Sequence, residues 1–237
     1  MFDAYTLKAR VYPMILLIFP LILMGIFYSI EMKSFLPLGS SALIGGTFSY
    51  LFSQLGRDKG KTKEQLLWKS WGGTPTTQIL RLTNDIIDKH SKKRYHKKLH
   101  SICPVSIVPN REMEMSSPAK ADDIYRTWTK YLISKTRDVK AYDLLFKDNC
   151  SYGFRRNVWG LKPTAIFCIS ILIICNFAYG YYQTTSINPM LYSVNVLYSI
   201  IGLLICLLFW IVVISKNWIK IPAFSYAERL CEAIENL

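Results

Sequence analysis

Trp71-Gly72-Gly73-Thr74-Pro75-Thr76-Thr77 is the stretch whose residue types come closest to chemistry. Two glycines leading into a helix start, with three hydroxyls nearby, would turn free N–H groups toward an anion. Arg81 follows about a turn later and would add a bidentate contact. The plainer reading is a glycine turn ahead of a capped helix. A second glycine pair, Gly56-Arg57-Asp58-Lys59-Gly60-Lys61-Thr62, invites comparison with a P-loop. It fails on spacing, because G-x-x-x-x-G-K-S/T needs one more residue between its glycines. It also follows a membrane segment instead of a strand, and reads as a cationic collar.

Lys89 to Lys98 holds six Lys and Arg in ten residues, far along the chain from any apolar segment. Such a run is most often a solvated helix face. Its functional readings are anionic lipid or an acidic protein partner, ahead of a nucleic acid, since no nucleic-acid motif accompanies it. His96, His100 and Cys103 have a spacing that could hold zinc. No fourth ligand is evident and the lysines oppose a metal, so neither metal nor cofactor is expected. The acidic pairs Glu112/Glu114 and Asp122/Asp123 lack a companion His or Ser, and read as helix caps and surface charge. Arg57/Asp58 and Arg137/Asp138 carry the one enzymatic alternative. There Asp58 and Asp138 would serve as base or metal ligand on a phosphorylated lipid or nucleotide.

The elements that position these residues follow from composition. Half of the 237 residues are apolar. They concentrate in Val11–Ile30, Phe35–Leu55, Thr164–Tyr182 and Ser193–Ser215, each about 20 residues long and free of Asp, Glu, Lys, Arg and His. The predicted fold is an all-α membrane protein. Four transmembrane helices form two hairpins, with a mainly helical cytosolic domain inserted between them. The segments are 1–55 (arm and first hairpin), 56–163 (basic domain), 164–215 (second hairpin) and 216–237 (amphipathic, acidic tail). Of the 29 Lys and Arg, 23 lie in the central block, and the two short connections share one. The positive-inside rule then places that block and both termini in the cytoplasm. The six cysteines form no C-x-x-C pair, as expected for reduced thiols. Small residues at Gly39, Ser40, Ser41, Ala42, Gly45 and Gly46 predict that the second span faces other helices. Spans without acidic or basic groups argue against an ion-coupled transporter and leave an oligomeric pore open.

Inside the block, helix starts are predicted at Thr74-Pro75 and Ser117-Pro118. The first is expected to carry Ile79, Leu80, Leu82, Ile86 and Ile87 on one apolar face. The second is expected to bury Ile124, Trp128, Tyr131 and Leu132. Cys103–Ser117 reads as an irregular connection, Pro163 as the first turn of the third span, and Ser225 as the cap of a last helix.

The run from Gly56-Arg57-Asp58 through Leu67-Trp68, Trp71-Gly72-Gly73, Pro75-Thr76-Thr77 and Leu80-Arg81 resembles a family of small bacterial membrane proteins with no assigned activity. Thr136-Arg137-Asp138, Tyr152-Gly153-Phe154-Arg155-Arg156-Asn157 and Gly160-Leu161-Lys162-Pro163 are similar to the same family. The resemblance implies a bacterial inner (cytoplasmic) membrane and nothing catalytic. Proteins of this layout are often sensors or effectors of antiphage defence.

The expected function is a non-enzymatic membrane sensor or effector that oligomerises and binds an anionic ligand or partner. Arg57, Lys61, Gly72, Gly73, Thr74, Arg81, Arg137, Arg155 and Arg156 are its candidate binding residues. Anionic headgroups, a second copy, a cytosolic protein, or a nucleotide or nucleic acid are the candidate partners. A membrane enzyme and a ligand-gated pore are the alternatives.

Overall fold

The computed structural model describes residues 3–237. All regular elements among them are helical. In chain order they are α1 (Ala4–Glu31), α2 (Leu36–Trp71), α3 (Pro75–Leu80), α4 (Lys89–Ile102), α5 (Arg111–Ser116), α6 (Pro118–Lys135), α7 (Asp143–Thr184), α8 (Val194–Val212) and α9 (Lys216–Glu232). Short 3₁₀ turns cover Pro189–Leu191 and Ala233–Asn236.

Three of these helices, α1, α7 and α8, are long and apolar enough to cross a membrane. The fourth expected span lies in the first half of α2. That half is helical, but Gly39, Ser40, Ser41, Gly45, Gly46, Thr47 and Ser49 dilute its apolar content below that of the other three. Pro163 does not open a helix as expected but is carried inside α7. Pro222 likewise lies inside α9, where Ser225 Oγ donates back to the Ile221 carbonyl at 3.1 Å instead of capping a last helix.

The chain folds as two compact units, Met1–Lys63 with Gly153–Ile219, and Glu64–Tyr152 with Lys220–Leu237. In the first unit, Leu17, Val158, Leu161, Ile169, Leu203 and Trp210 form the buried core. Helices α2 and α7 meet there backbone to backbone. A Cβ built on Gly160 would lie 2.5 Å from the Gly60 nitrogen and 2.9 Å from the Gly56 carbonyl oxygen. The glycine pair that resembled a P-loop is therefore a helix-packing notch of the small-xxx-small kind. Proline chemistry shapes α1. Pro13 has no N–H to offer the Ala9 carbonyl. That oxygen instead accepts from Asn157 Nδ2 at 2.6 Å, beside a wide turn at Leu7–Val11. Lys162 closes α8, its Nζ donating to the Ile211 and Ile214 carbonyls at 2.9 and 2.8 Å.

In the second unit the core gathers Ile79, Leu80, Leu99, Tyr125, Trp128 and Leu132 around Leu230, Cys231 and Ile234. The tail is thus part of this core. Helix α3 stops after six residues, because Arg81 turns to an extended backbone, and Ile86 is left exposed. The buried stripe of α6 runs Ala121, Tyr125, Trp128 and Leu132, one residue out of phase with the expected Ile124 and Tyr131. The expected irregular connection contains α5, which Asn110 caps by accepting from the Met113 N–H at 2.7 Å.

The glycines give a test with two signs. Gly160→Ala forces backbones apart and should cost about 1–3 kcal/mol. Gly39→Ala meets nothing within 4 Å and should gain a few tenths of a kcal/mol, up to about 1. Thermal unfolding of the full-length protein in mild detergent reads both. Equal effects at the two positions would remove the close-packing account.

Candidate functional site

The candidate binding residues fall in both units. Arg57, Lys61, Arg155 and Arg156 belong to the first; Gly72, Gly73, Thr74, Arg81 and Arg137 to the second. In the first unit the notch brings the Arg57–Lys61 turn of α2 against the Arg155–Arg156 turn of α7, since a Cβ on Gly60 would sit 3.0 Å from the Arg156 carbonyl oxygen. The side chains do not converge on one point. Arg57 Nη1 donates to Gln54 Oε1 at 3.4 Å, and Arg156 Nε to Asn157 Oδ1 at 3.3 Å. Arg155 Nη1 donates to the Trp218 carbonyl at 2.8 Å, with its guanidinium carbon 4.9 Å from that indole's centre. Lys61 and Asp58 are exposed on α2.

The second unit spends the donors of the glycine turn on its own helix. Gly72 and Gly73 take φ of +86° and +138°. Their N–H groups bond the Lys69 and Trp68 carbonyls at 3.3 and 2.8 Å, closing α2 with a Schellman cap. Thr74 Oγ1 donates to Thr77 Oγ1 at 2.6 Å. Arg81 forms a bidentate pair with Asp122, Nε–Oδ1 at 2.9 Å and Nη2–Oδ2 at 2.6 Å, and that bond raises its pKa further. The turn is therefore a cap followed by a cross-helix ion pair. Arg137 is exposed. Asp138 Oδ1 accepts from the Lys140 and Ala141 N–H groups at 2.8 and 3.3 Å, a turn-closing role.

A polar cluster that the spacing did not single out sits beside this turn. Lys92, only 3 % exposed, donates from Nζ to the carbonyls of Arg81 (2.8 Å) and Asn84. Glu114, 8 % exposed, accepts the N–H groups of Leu82 and Thr83 at 2.6 and 3.0 Å and the Tyr125 hydroxyl at 2.6 Å. It is a buried clamp, not the surface charge expected of it. His96 Nε2 lies 2.8 Å from the Leu80 carbonyl and so donates to it, with the ring packed on Tyr125 and Trp128. Burial lowers the pKa of Lys92 and of His96, and burial followed by the Glu114 bond raises that of Tyr125. One signal in the sequence pointed here. Lys92 is in register with Tyr95, His96 and Leu99, the apolar side of an otherwise basic helix.

The rest of α4 turns outward. Arg94 Nη2 pairs with Glu235 Oε1 at 2.9 Å, and Lys98 Nζ donates to the Glu235 carbonyl at 3.0 Å. Lys89, Lys93 and Lys97 are exposed on a four-residue spacing, and no salt bridge among the described residues involves them. His96 is committed to Leu80, and among the described residues no three His, Cys, Asp or Glu side chains lie together as metal ligands.

Lys92→Met would strand two half-buried carbonyls and should cost about 1–3 kcal/mol in urea unfolding of the full-length protein. The His96 linkage has a definite sign. Its folded pKa lies below the unfolded value of 6.5, so its contribution is complete above that pH. As pH falls through 6.5 the unfolded chain binds a proton that the folded one refuses, and stability is lost down to the folded pKa. Melting temperature should therefore fall as the pH is taken below about 6.5, and His96→Gln should flatten that part of the curve. An unchanged pH profile in the variant would contradict it.

Comparison of the chain with protein-family models, with curated proteins and with solved structures finds no match.

Proposed function

We propose that this chain is a non-enzymatic sensor or effector of the bacterial inner membrane. In this reading α2 joins α1, α7 and α8 as a fourth span, the spans form two hairpins, and both termini and the 56–163 block lie in the cytoplasm. The basic domain binds an anionic ligand or an acidic partner. The observation that carries it is the row Lys89, Lys93 and Lys97. Like charges four residues apart on a helix repel and cost stability. Nearby cations are neutralised inside the fold, Arg81 by Asp122 and Arg94 by Glu235. An uncompensated row on the same helix is what an external anion would occupy. Lys61 and Arg137, both exposed, extend the supply of open cations in their respective units. Oligomerisation through α2 is supported by Gly39 and Gly46, where a Cβ would meet nothing within 4 Å, and by Leu43 and Tyr50, 72 % and 70 % exposed.

The test is binding by the purified full-length protein in detergent. Fluorescein-labelled poly-glutamate, phosphatidylglycerol vesicles and a mixed-sequence oligonucleotide tell the three anion classes apart. Affinity for the preferred class should fall steeply with added salt. Replacing Lys89, Lys93 and Lys97 together by Gln should weaken it by up to about 1 kcal/mol per lysine. Salt-insensitive binding, or a triple variant that binds like the parent, would remove the proposal.

A further inference from the structure

Helices α1, α2 and α7 leave a groove between them in the first unit. Its volume is about 400 Å3 and its walls are almost entirely carbon, including Leu17, Leu21, Ile44, Phe48, Phe52 and Leu172. The groove has a local cause. Small residues draw α2 onto α1 at two points, Gly25 against Ser41 and Gly45 against Ile18. The large side chains on either side of those points are left facing an open slot.

One end of the slot is basic. Phe52 and Lys59 are seven residues apart on α2 and so share a face. Thr164 lies one turn before Cys168, another wall residue of α7, a rise of ~6 Å. Lys59 Nζ donates to Thr164 Oγ1 at 3.0 Å, which fixes that end. Lys63, a turn beyond Lys59, places its ammonium 5.6 Å from the centre of the Trp159 ring. Burial lowers the Lys63 pKa, and the positive charge of Lys59 lowers it further, so the two ammonium groups are close enough to repel. An anion between them would relieve that repulsion.

An apolar slot that ends at two lysines, a hydroxyl and an indole has the chemistry of one molecule class. We infer that the first unit binds a phospholipid with an anionic headgroup, an acyl chain lying in the α1–α2–α7 groove and the phosphate at Lys59, Lys63 and Thr164. A free phosphate would leave the groove without an occupant. The inference rests on the reading of α2 as membrane-spanning, which puts the groove at the depth of the acyl chains and the lysines at headgroup level.

Native mass spectrometry of the full-length protein in mild detergent tests it, with phosphatidylglycerol and phosphatidylcholine of identical chains added in turn. The parent protein should retain phosphatidylglycerol over phosphatidylcholine by about fivefold or more. Lys59→Gln should bring phosphatidylglycerol down to the phosphatidylcholine level, and Lys63→Gln is the second variant should the first fail to show a native circular-dichroism spectrum. Ile44→Trp, which fills the groove from a half-exposed wall position, should lower both lipids. Lys33→Gln, in the turn between α1 and α2, should change neither. Equal retention of the two lipids by the parent, or a preference that survives both lysine variants, overturns the site. Labelling of Lys33→Cys in whole cells by an impermeant maleimide, in a background without the native cysteines, separates the premise from the site. No labelling removes the membrane-spanning reading of α2 and the lipid site with it. Labelling together with equal lipid retention removes the lipid site alone.

Discussion

Between α3 and α4 the chain has no helix or strand to satisfy its backbone, and two buried charges of opposite sign do so. Lys92 takes carbonyls from Arg81 and Asn84, and Glu114 takes the N–H groups of Leu82 and Thr83. The stretch is half-buried to exposed, and these two side chains pair the carbonyls and N–H groups it turns inward. Everything around it follows. Tyr125 reaches Glu114 from α6, His96 closes the last carbonyl of α3, and Arg81 is left pointing at Asp122. Removing one member of such a set leaves its partners buried without a bond, which is why the loss exceeds that of a surface pair.

The first unit is organised by the absence of side chains. Glycines at 56, 60 and 160 let α2 and α7 touch through their backbones, and Asn157 and Lys162 on the same stretch of α7 serve carbonyls of other helices. Where α2 runs beside α1, close approaches at Gly25 and Gly45 are joined by the Leu38 N–H donating to Ser29 Oγ at 3.0 Å, and larger side chains flank a groove. One helix thus meets α7 through its backbone and α1 through side chains, according to where its small residues fall. The two regimes differ in what they can accept. The backbone contact tolerates no added methyl group, and the groove has room for an acyl chain.

Length, charge and apolar clustering were enough to read three membrane-length helices and the helix starts at Pro75 and Pro118. Those features are local, and local spacing carries them. The end of α3 was not legible, because its apolar pattern continues to Ile87 while the partners that capture its backbone lie 11 and 32 residues away. Glu114 looked like a surface acid for the same reason. The proline signal at 163 misled because a helix already held by packing on both sides can omit one N–H. At Gly72-Gly73 the residue types were right for free donors, yet the preceding helix needed those donors for its own C-terminus. The second half of α2 and the first half of α7 carry charge and were assigned to the inserted domain, though each continues an apolar helix without a break.

Glu235 has a consequence beyond the pair it makes. By holding Arg94 with its carboxylate and Lys98 with its carbonyl, it occupies two of the six cations that α4 carries. Ile234, the residue before it, is buried in the core, so this neutralisation is anchored in place. The helix therefore shows visitors a narrower and more defined row of charge than its composition implies. Any polyanion broad enough to want Arg94 and Lys98 along with that row must compete with a carboxylate already seated, an internal rival whose local concentration no dilution can lower.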